Sequence, residues 1–138
     1  MTNSKKLEVG QVLITRDVDF TRDSLVRYAG ASGDFNQIHY RDDVAARVGL
    51  PGVLAHGMLT MGTAISPLVE WLGDPARLLS YGVRFTKPIV VPADGAVAVH
   101  IEAVVGAVDE EAGTARIDLK VSVEGEMVLG KAQAVIQI

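Results

Sequence analysis

Two titratable side chains five positions apart, Asp34 and His39, carry the chemistry suggested by this sequence. A carboxylate and an imidazole that converge on one substrate atom form an acid–base pair near neutral pH. They lie in the run Tyr28-Ala-Gly-Ala-Ser-Gly-Asp-Phe-Asn-Gln-Ile-His39. Gly33 and Asn36 favour turns over helix or strand, so the run reads as a tight loop presenting both groups to one point. Asp and Asn beside Gly are also ordinary turn-formers, and the spacing alone has a high false-positive rate. A metal site built from Asp34, His39 and His56 is conceivable from donor type. No compact ligand motif supports one, and no metal or other cofactor is expected. His56 is expected to hydrogen-bond the loop or to fix the start of a following helix. Ser32 lacks the Gly-x-Ser-x-Gly setting of a nucleophile.

The elements that must position these groups follow from periodicity. Val12, Ile14, Val18 and Phe20 suggest an extended segment ending near Phe20. Thr21 suits an N-cap, with Asp23 in the first turn and Gly30 ending a short helix. Tyr28 on that helix reads as a half-buried core residue. Past the loop, Asp42 is expected to cap a second short helix through Val48, closed by Gly49. Val53 to Leu72 is the most apolar run. Its length would span a bilayer, but Gly, Thr, Ser and Pro dilute it and no basic flank marks it. It reads instead as a helix wrapped by a sheet, with small residues admitting strands closely and Pro67 either kinking it or starting a second helix capped by Ser66. The remainder reads as strands. Leu79, Tyr81, Val83 and Phe85 alternate, as do Val97 to Val105, Ile117 to Val123 and Ala132 to Ile138, with turns at Pro92–Gly95 and Gly125. Successive strands at this spacing argue antiparallel pairing, and with one long helix they make an α+β fold.

Bulk properties narrow the function. A chain of 138 residues suits one domain over 1–138. Its 49% hydrophobic content supports a packed core. A net charge of −4 without a basic block argues against nucleic acid or membrane surfaces as partners. There is no cysteine, which excludes disulfides and thiolate chemistry and fits a cytoplasmic protein. The polar N-terminus does not read as a signal peptide, so none is expected. His100, among alternating valines, reads as a surface strand residue.

The loop resembles the signature of the MaoC-like (R)-specific enoyl-thioester hydratases and dehydratases. Tyr28, Ser32, Gly33, Asp34, Asn36, Ile38, His39 and Ala45 fit its pattern, and Gln37 stands where the family usually has proline. Ala55-His-Gly-Met-Leu-Thr60, Trp71-Leu-Gly-Asp-Pro75 and Tyr81-Gly-Val-Arg-Phe85 resemble the B-subunit branch of the actinobacterial (3R)-hydroxyacyl-ACP dehydratases, which act in long-chain elongation for mycolic acids. The resemblance implies a hotdog fold, an antiparallel sheet wrapped around one long helix. It implies Asp34 and His39 as acid–base groups and Gly57 at a helix start as donor to the thioester oxygen. Ser32, Gly33, Asn36 and His56 support the loop. The substrate would be an acyl thioester on ACP or CoA. The assembly would be a heterodimer with a second hotdog subunit, or a homodimer. A hotdog thioesterase and a noncatalytic tunnel-forming subunit remain the alternatives.

Overall fold

The computed structural model describes residues 6–138; the polar end expected to fray falls, except for Lys6, outside them. The order is β1 (Val12–Phe20), α1 (Arg22–Ser32), a 3₁₀ turn (Gln37–His39), α2 (Asp42–Arg47), α3 (Gly57–Leu72), a second 3₁₀ turn (Pro75–Arg77), β2 (Leu78–Phe85), β3 (Val97–Asp109), β4 (Thr114–Val123), β5 (Glu126–Met127) and β6 (Leu129–Gln137). The strands form one antiparallel sheet ordered β1-β3-β4-β6-β2, with β5 paired to β4. This is the expected α+β arrangement. No described helix is long and apolar enough to cross a membrane.

Period-two patterning accounts for the sheet's inner face. Val99, Ile101, Ala103 and Val105 of β3 are buried, as are Ile117, Leu119 and Val121 of β4 and Ala132, Ala134 and Ile136 of β6. Alternate residues of a strand share a face, so one row goes to the core while its neighbours face out. Helix α3 supplies the opposing surface. Thr60, Ala64, Pro67, Leu68 and Leu72 are its buried residues, a stripe at helical spacing.

Several local expectations need correction. Helix α1 runs through Gly30 and ends at Gly33, whose φ of 78° is the left-handed conformation open to glycine and whose N–H bonds the Ala29 carbonyl. Asp42 does not cap α2: Arg41 is the N-cap residue and makes no side-chain cap bond, while Asp42 accepts from Arg22 instead. Helix α3 begins at Gly57, the helix start that the resemblance implied, and not at Val53 where the apolar run opens. Residues 53–55 are extended, because Val53 and Ala55 exchange backbone hydrogen bonds with Val91 and Ile89. Pro67 lies inside a continuous α3 rather than starting a second helix, and Ser66 Oγ donates to the Gly62 carbonyl (2.8 Å). The helix is also buried on one side only. Met58 and Trp71 are exposed, and Gly62 admits no strand, since nothing lies within 4 Å of where its Cβ would sit. On β2 the expected row is kept only at its centre: Tyr81 and Val83 are half-buried, whereas Leu79, at the register shift between Leu78 and Ser80, and Phe85 are exposed.

Candidate active site

Three consecutive turns build the loop that carries Asp34 and His39. Ser32 Oγ accepts from the Asp34 N–H (3.1 Å), Asp34 Oδ1 from the Asn36 N–H (3.1 Å), and Asn36 Oδ1 from the Ile38 N–H (3.2 Å). Each short polar side chain thus replaces a backbone acceptor two residues before the donor. This explains why the pattern needs Ser, Asp and Asn at alternate positions. Gly33 turns the chain out of α1, and Asn36 caps the 3₁₀ turn that ends on His39. That turn forms with Gln37 in its first position, so proline there is not a structural requirement.

The Asp34 carboxylate is divided between two tasks. Oδ1 anchors the turn, which aims Oδ2 at His39 Nε2, 3.9 Å away. The carboxylate is half-exposed, whereas the His39 ring is nearly buried. His39 Nδ1–H donates to the Leu54 carbonyl at 2.6 Å. This bond holds the neutral ring in one tautomer and leaves the Nε2 lone pair facing the carboxylate. Leu54 N–H in turn donates to the Ile38 carbonyl (3.1 Å). Leu54 therefore grips the histidine turn from both of its backbone groups. Its role was not legible in the sequence, because a carbonyl's use depends on what folds against it. The run Pro51-Gly52 just before it was the available sign that the helix starts later.

Asp34 Oδ2 and His39 Nε2 are both acceptors, so 3.9 Å is no direct bond between them. The gap suits a water or substrate hydroxyl. An oxygen about 2.8 Å from each atom subtends roughly 90° between them, near the angle between a water's two O–H bonds.

His56 packs behind this pair. Its ring stacks on His39, with centroids 3.8 Å apart and planes 22° from parallel, and meets Tyr28 edge-on at 4.7 Å. Nε2–H donates to the Asp34 carbonyl (3.2 Å), while the buried Nδ1 has no partner. Burial is the main cause that lowers its pKa. Asp34, His39 and His56 do offer ligand atoms within 4.8 Å of one another. Stacked imidazoles, however, direct their nitrogens along near-parallel planes instead of toward one ion, and His56 Nε2 is already engaged.

Gly57 is the first residue of α3. Its N-cap, His56, makes no side-chain cap bond, and the first helical bond at this end runs from Thr60 N–H to the His56 carbonyl. The N–H groups of the first turn thus face outward at the positive end of the dipole. Gly57 lines a cleft of about 340 Å³ together with His39, Leu54, Phe85, Lys87 and Leu129, among others. A Cβ at Gly57 would stand 3.0 Å from the Phe85 ring, so the bare backbone keeps this passage open. The structure therefore brings Asp34, His39, His56 and Gly57 together. Of these, His39 and Gly57 line the cleft, Asp34 stands beside it across the gap from His39, and Ser32, Gly33 and Asn36 shape the loop. His100 lies apart on the sheet, where its ring bonds Asp17 at 2.6 Å.

The "MaoC like domain" family model matches residues 4–123. The 3-hydroxyacyl-thioester dehydratase X of Mycobacterium tuberculosis is 40% identical over 67 residues, covering 49% of this chain and 23% of that protein. A solved MaoC-like dehydratase superposes with a TM-score of 0.92 at 32% identity, over 96% of this chain and 41% of the other. The truncated HadBC complex, a (3R)-hydroxyacyl-ACP dehydratase of M. tuberculosis, matches with a TM-score of 0.69 over 96% of this chain and 99% of the matched one; at 15% identity this shows the shared fold alone. The chain thus spans about a quarter of the curated relative and less than half of the first structure. With most of its length matched by one family model, and with the hotdog sheet and helix in place, the chain belongs to the MaoC-like domain family.

Proposed function

We propose that this chain catalyses the (R)-specific hydration of trans-2-enoyl thioesters and the reverse dehydration of (3R)-hydroxyacyl thioesters in fatty acid metabolism. The observation that carries the reading is the gap of 3.9 Å between Asp34 Oδ2 and His39 Nε2. Two acceptors at this separation hold one water by its two hydrogens and leave a lone pair for Cβ. Asp34 takes a proton as the oxygen bonds Cβ and returns it to Cα, while His39 orients the water and shares its deprotonation. One water is consumed and none of its atoms is left over. Charge develops on the thioester oxygen, and the Gly57 N–H at the start of α3 is placed to receive it. The same geometry serves elimination in the opposite direction.

The proposal takes residues 1–138 as one hotdog domain acting in the cytoplasm, as part of a dimer. Strand β2 is a sheet edge and carries the exposed Leu79 and Phe85, with Met58 exposed on α3. An unpaired edge flanked by apolar side chains invites a second sheet. The 340 Å³ cleft is also small for a long acyl chain with its pantetheine arm. A second hotdog subunit would enlarge it, and a heterodimer of the (3R)-hydroxyacyl-ACP dehydratase type is preferred over a homodimer.

A panel of trans-2-enoyl thioesters on CoA and on acyl carrier protein tests the reading, with chiral chromatography of the product. The expected product is the (R)-3-hydroxyacyl thioester. Release of free thiol without hydration would instead identify a thioesterase, and a predominantly (S) product would overturn the assignment. Light scattering, alone and after co-expression with neighbouring genes, tests assembly. An active monomer at micromolar concentration would refute the dimer.

A further inference from the structure

We propose that His56 is a positioning residue that sets the geometry of His39 and the placement of Asp34. The inference deepens the acid–base reading above and rests on it for the kinetic part only. Two contacts carry it. The His56 ring covers one face of His39 at 3.8 Å, and its Nε2–H holds the Asp34 carbonyl at 3.2 Å. One side chain from the start of α3 therefore touches both acid–base residues through different chemistry. It does so from a fully packed position, with 1% of its surface exposed.

The arrangement works with a neutral His56. Nε2 carries the hydrogen that Asp34's carbonyl accepts. Nδ1 is shut away from water and has no acceptor, so a second hydrogen there would be an unpaired donor in the interior. The titratable groups facing the ring are His39, stacked on it, Tyr28 from α1, edge-on, and Asp34. As His39 accepts the hydrogen bond of the water that Asp34 deprotonates, positive character grows on its ring, and the neutral ring against it offers a π face to that charge. A charged His56 would repel it. The cost of leaving Nδ1 unpartnered is thereby matched to a function: it biases His56 against becoming cationic.

Two variants separate the contacts. His56→Phe keeps a flat ring over His39 and removes the donor to Asp34. His56→Gln keeps a donor and removes the aromatic face. Activity on crotonyl-CoA is measured across pH, alongside NMR titration of ¹⁵N-labelled histidines in wild type and variants. Wild-type His56 is expected to be the neutral Nε2–H tautomer at the ordinary histidine value and to take a second proton only below it, because burial disfavours its charged form. Both variants are expected to lose about 10- to 100-fold in kcat, as misplaced catalytic groups do, with KM changed much less. In His56→Gln, the His39 ring ¹⁵N shifts at one fixed pH should depart from wild type as the stacked ring is lost; in His56→Phe, they should stay close to it. Variants that lose thermal stability yet keep kcat and the His39 ¹⁵N shifts would overturn the proposal, as would a wild-type His56 that becomes charged at the ordinary histidine value. If wild type shows no hydration, the NMR titrations still decide positioning, and only the function above fails. Should His56→Gln not fold, His56→Phe and the wild-type titration decide it.

Discussion

Gly57→Ala should separate stability from turnover more sharply than any other single change. The added methyl would sit 3.0 Å from Phe85 Cε1 and 3.3 Å from Cδ1 and Cζ. Those distances require the ring to give by a few tenths of an ångström, and Phe85, 56% exposed in the single chain, has room to swing there, so the melt is read on the isolated chain rather than on the proposed dimer that covers this edge. Gly57 has no left-handed φ, so alanine adopts its backbone without strain. Gly→Ala in a helix gains up to about 1 kcal/mol, less at the first position, and the ring displacement offsets part of it. Net stability should therefore change by less than about 1 kcal/mol, a shift of a few degrees in Tm for a chain of this size. The methyl, however, occupies the cleft next to the N–H proposed to meet the thioester oxygen. Moving that oxygen by even about 1 Å takes an N–H···O contact out of hydrogen-bond range. Loss of one such donor costs about 10²- to 10³-fold in kcat. Loss of enoyl-thioester absorbance on crotonyl-CoA gives the rate, and a thermal melt gives the stability. A variant with near-wild-type kcat/KM would refute the oxyanion role of α3. A variant that does not fold would refute the packing argument.

Other outcomes follow from the same geometry. Asp34→Asn and His39→Gln should each cost at least about 10²- to 10⁴-fold in kcat with unchanged circular dichroism, the contribution of a positioned acid or base; a near-native rate in Asp34→Asn would disprove the mechanism. Burial pushes the Tyr81 phenol up to about 12, and its O–H donates to the Met61 carbonyl in α3 (2.8 Å). Since the folded value lies above the unfolded one, this stability is fully present below about pH 10 and fades as pH rises toward 12. Denaturant melts should show that alkaline loss in wild type and not in Tyr81→Phe, which should be about 1 kcal/mol less stable at neutral pH. Burial depresses His56 in the folded state, so its protonation favours unfolding. Stability should be fully present above about pH 6.5 and decline as pH falls below it. Melts of His56→Phe should lack that component.

The strands and the turns that bring Asp34 beside His39 were legible because both are local. Val99, Ile101, Ala103 and Val105 announce a half-buried strand at a period that no helix shares. The Ser-Gly-Asp-x-Asn run encodes its own turns, since each side chain bonds a backbone group only two residues away. Thr21 likewise caps α1 with Ser24 from within four residues. What failed were local boundaries and caps that distant partners settled. The apolar run from Val53 looks helical throughout, yet its first residues take up sheet-like bonds because residues 89–91 arrive beside them. Gly30 and Gly33 both suit a helix end, and the turn chain beginning at Ser32 selects the later one. Asp42 looks like a cap until Arg22, twenty residues earlier, claims its carboxylate. The identities of Asp34 and His39 were thus determined by sequence. The tautomer of His39, the gap of 3.9 Å and the histidine stack were decided only when α3, the 53–55 segment and the loop met. Backbone carbonyls and ring faces carry no residue-specific signal, so their use becomes visible only in three dimensions.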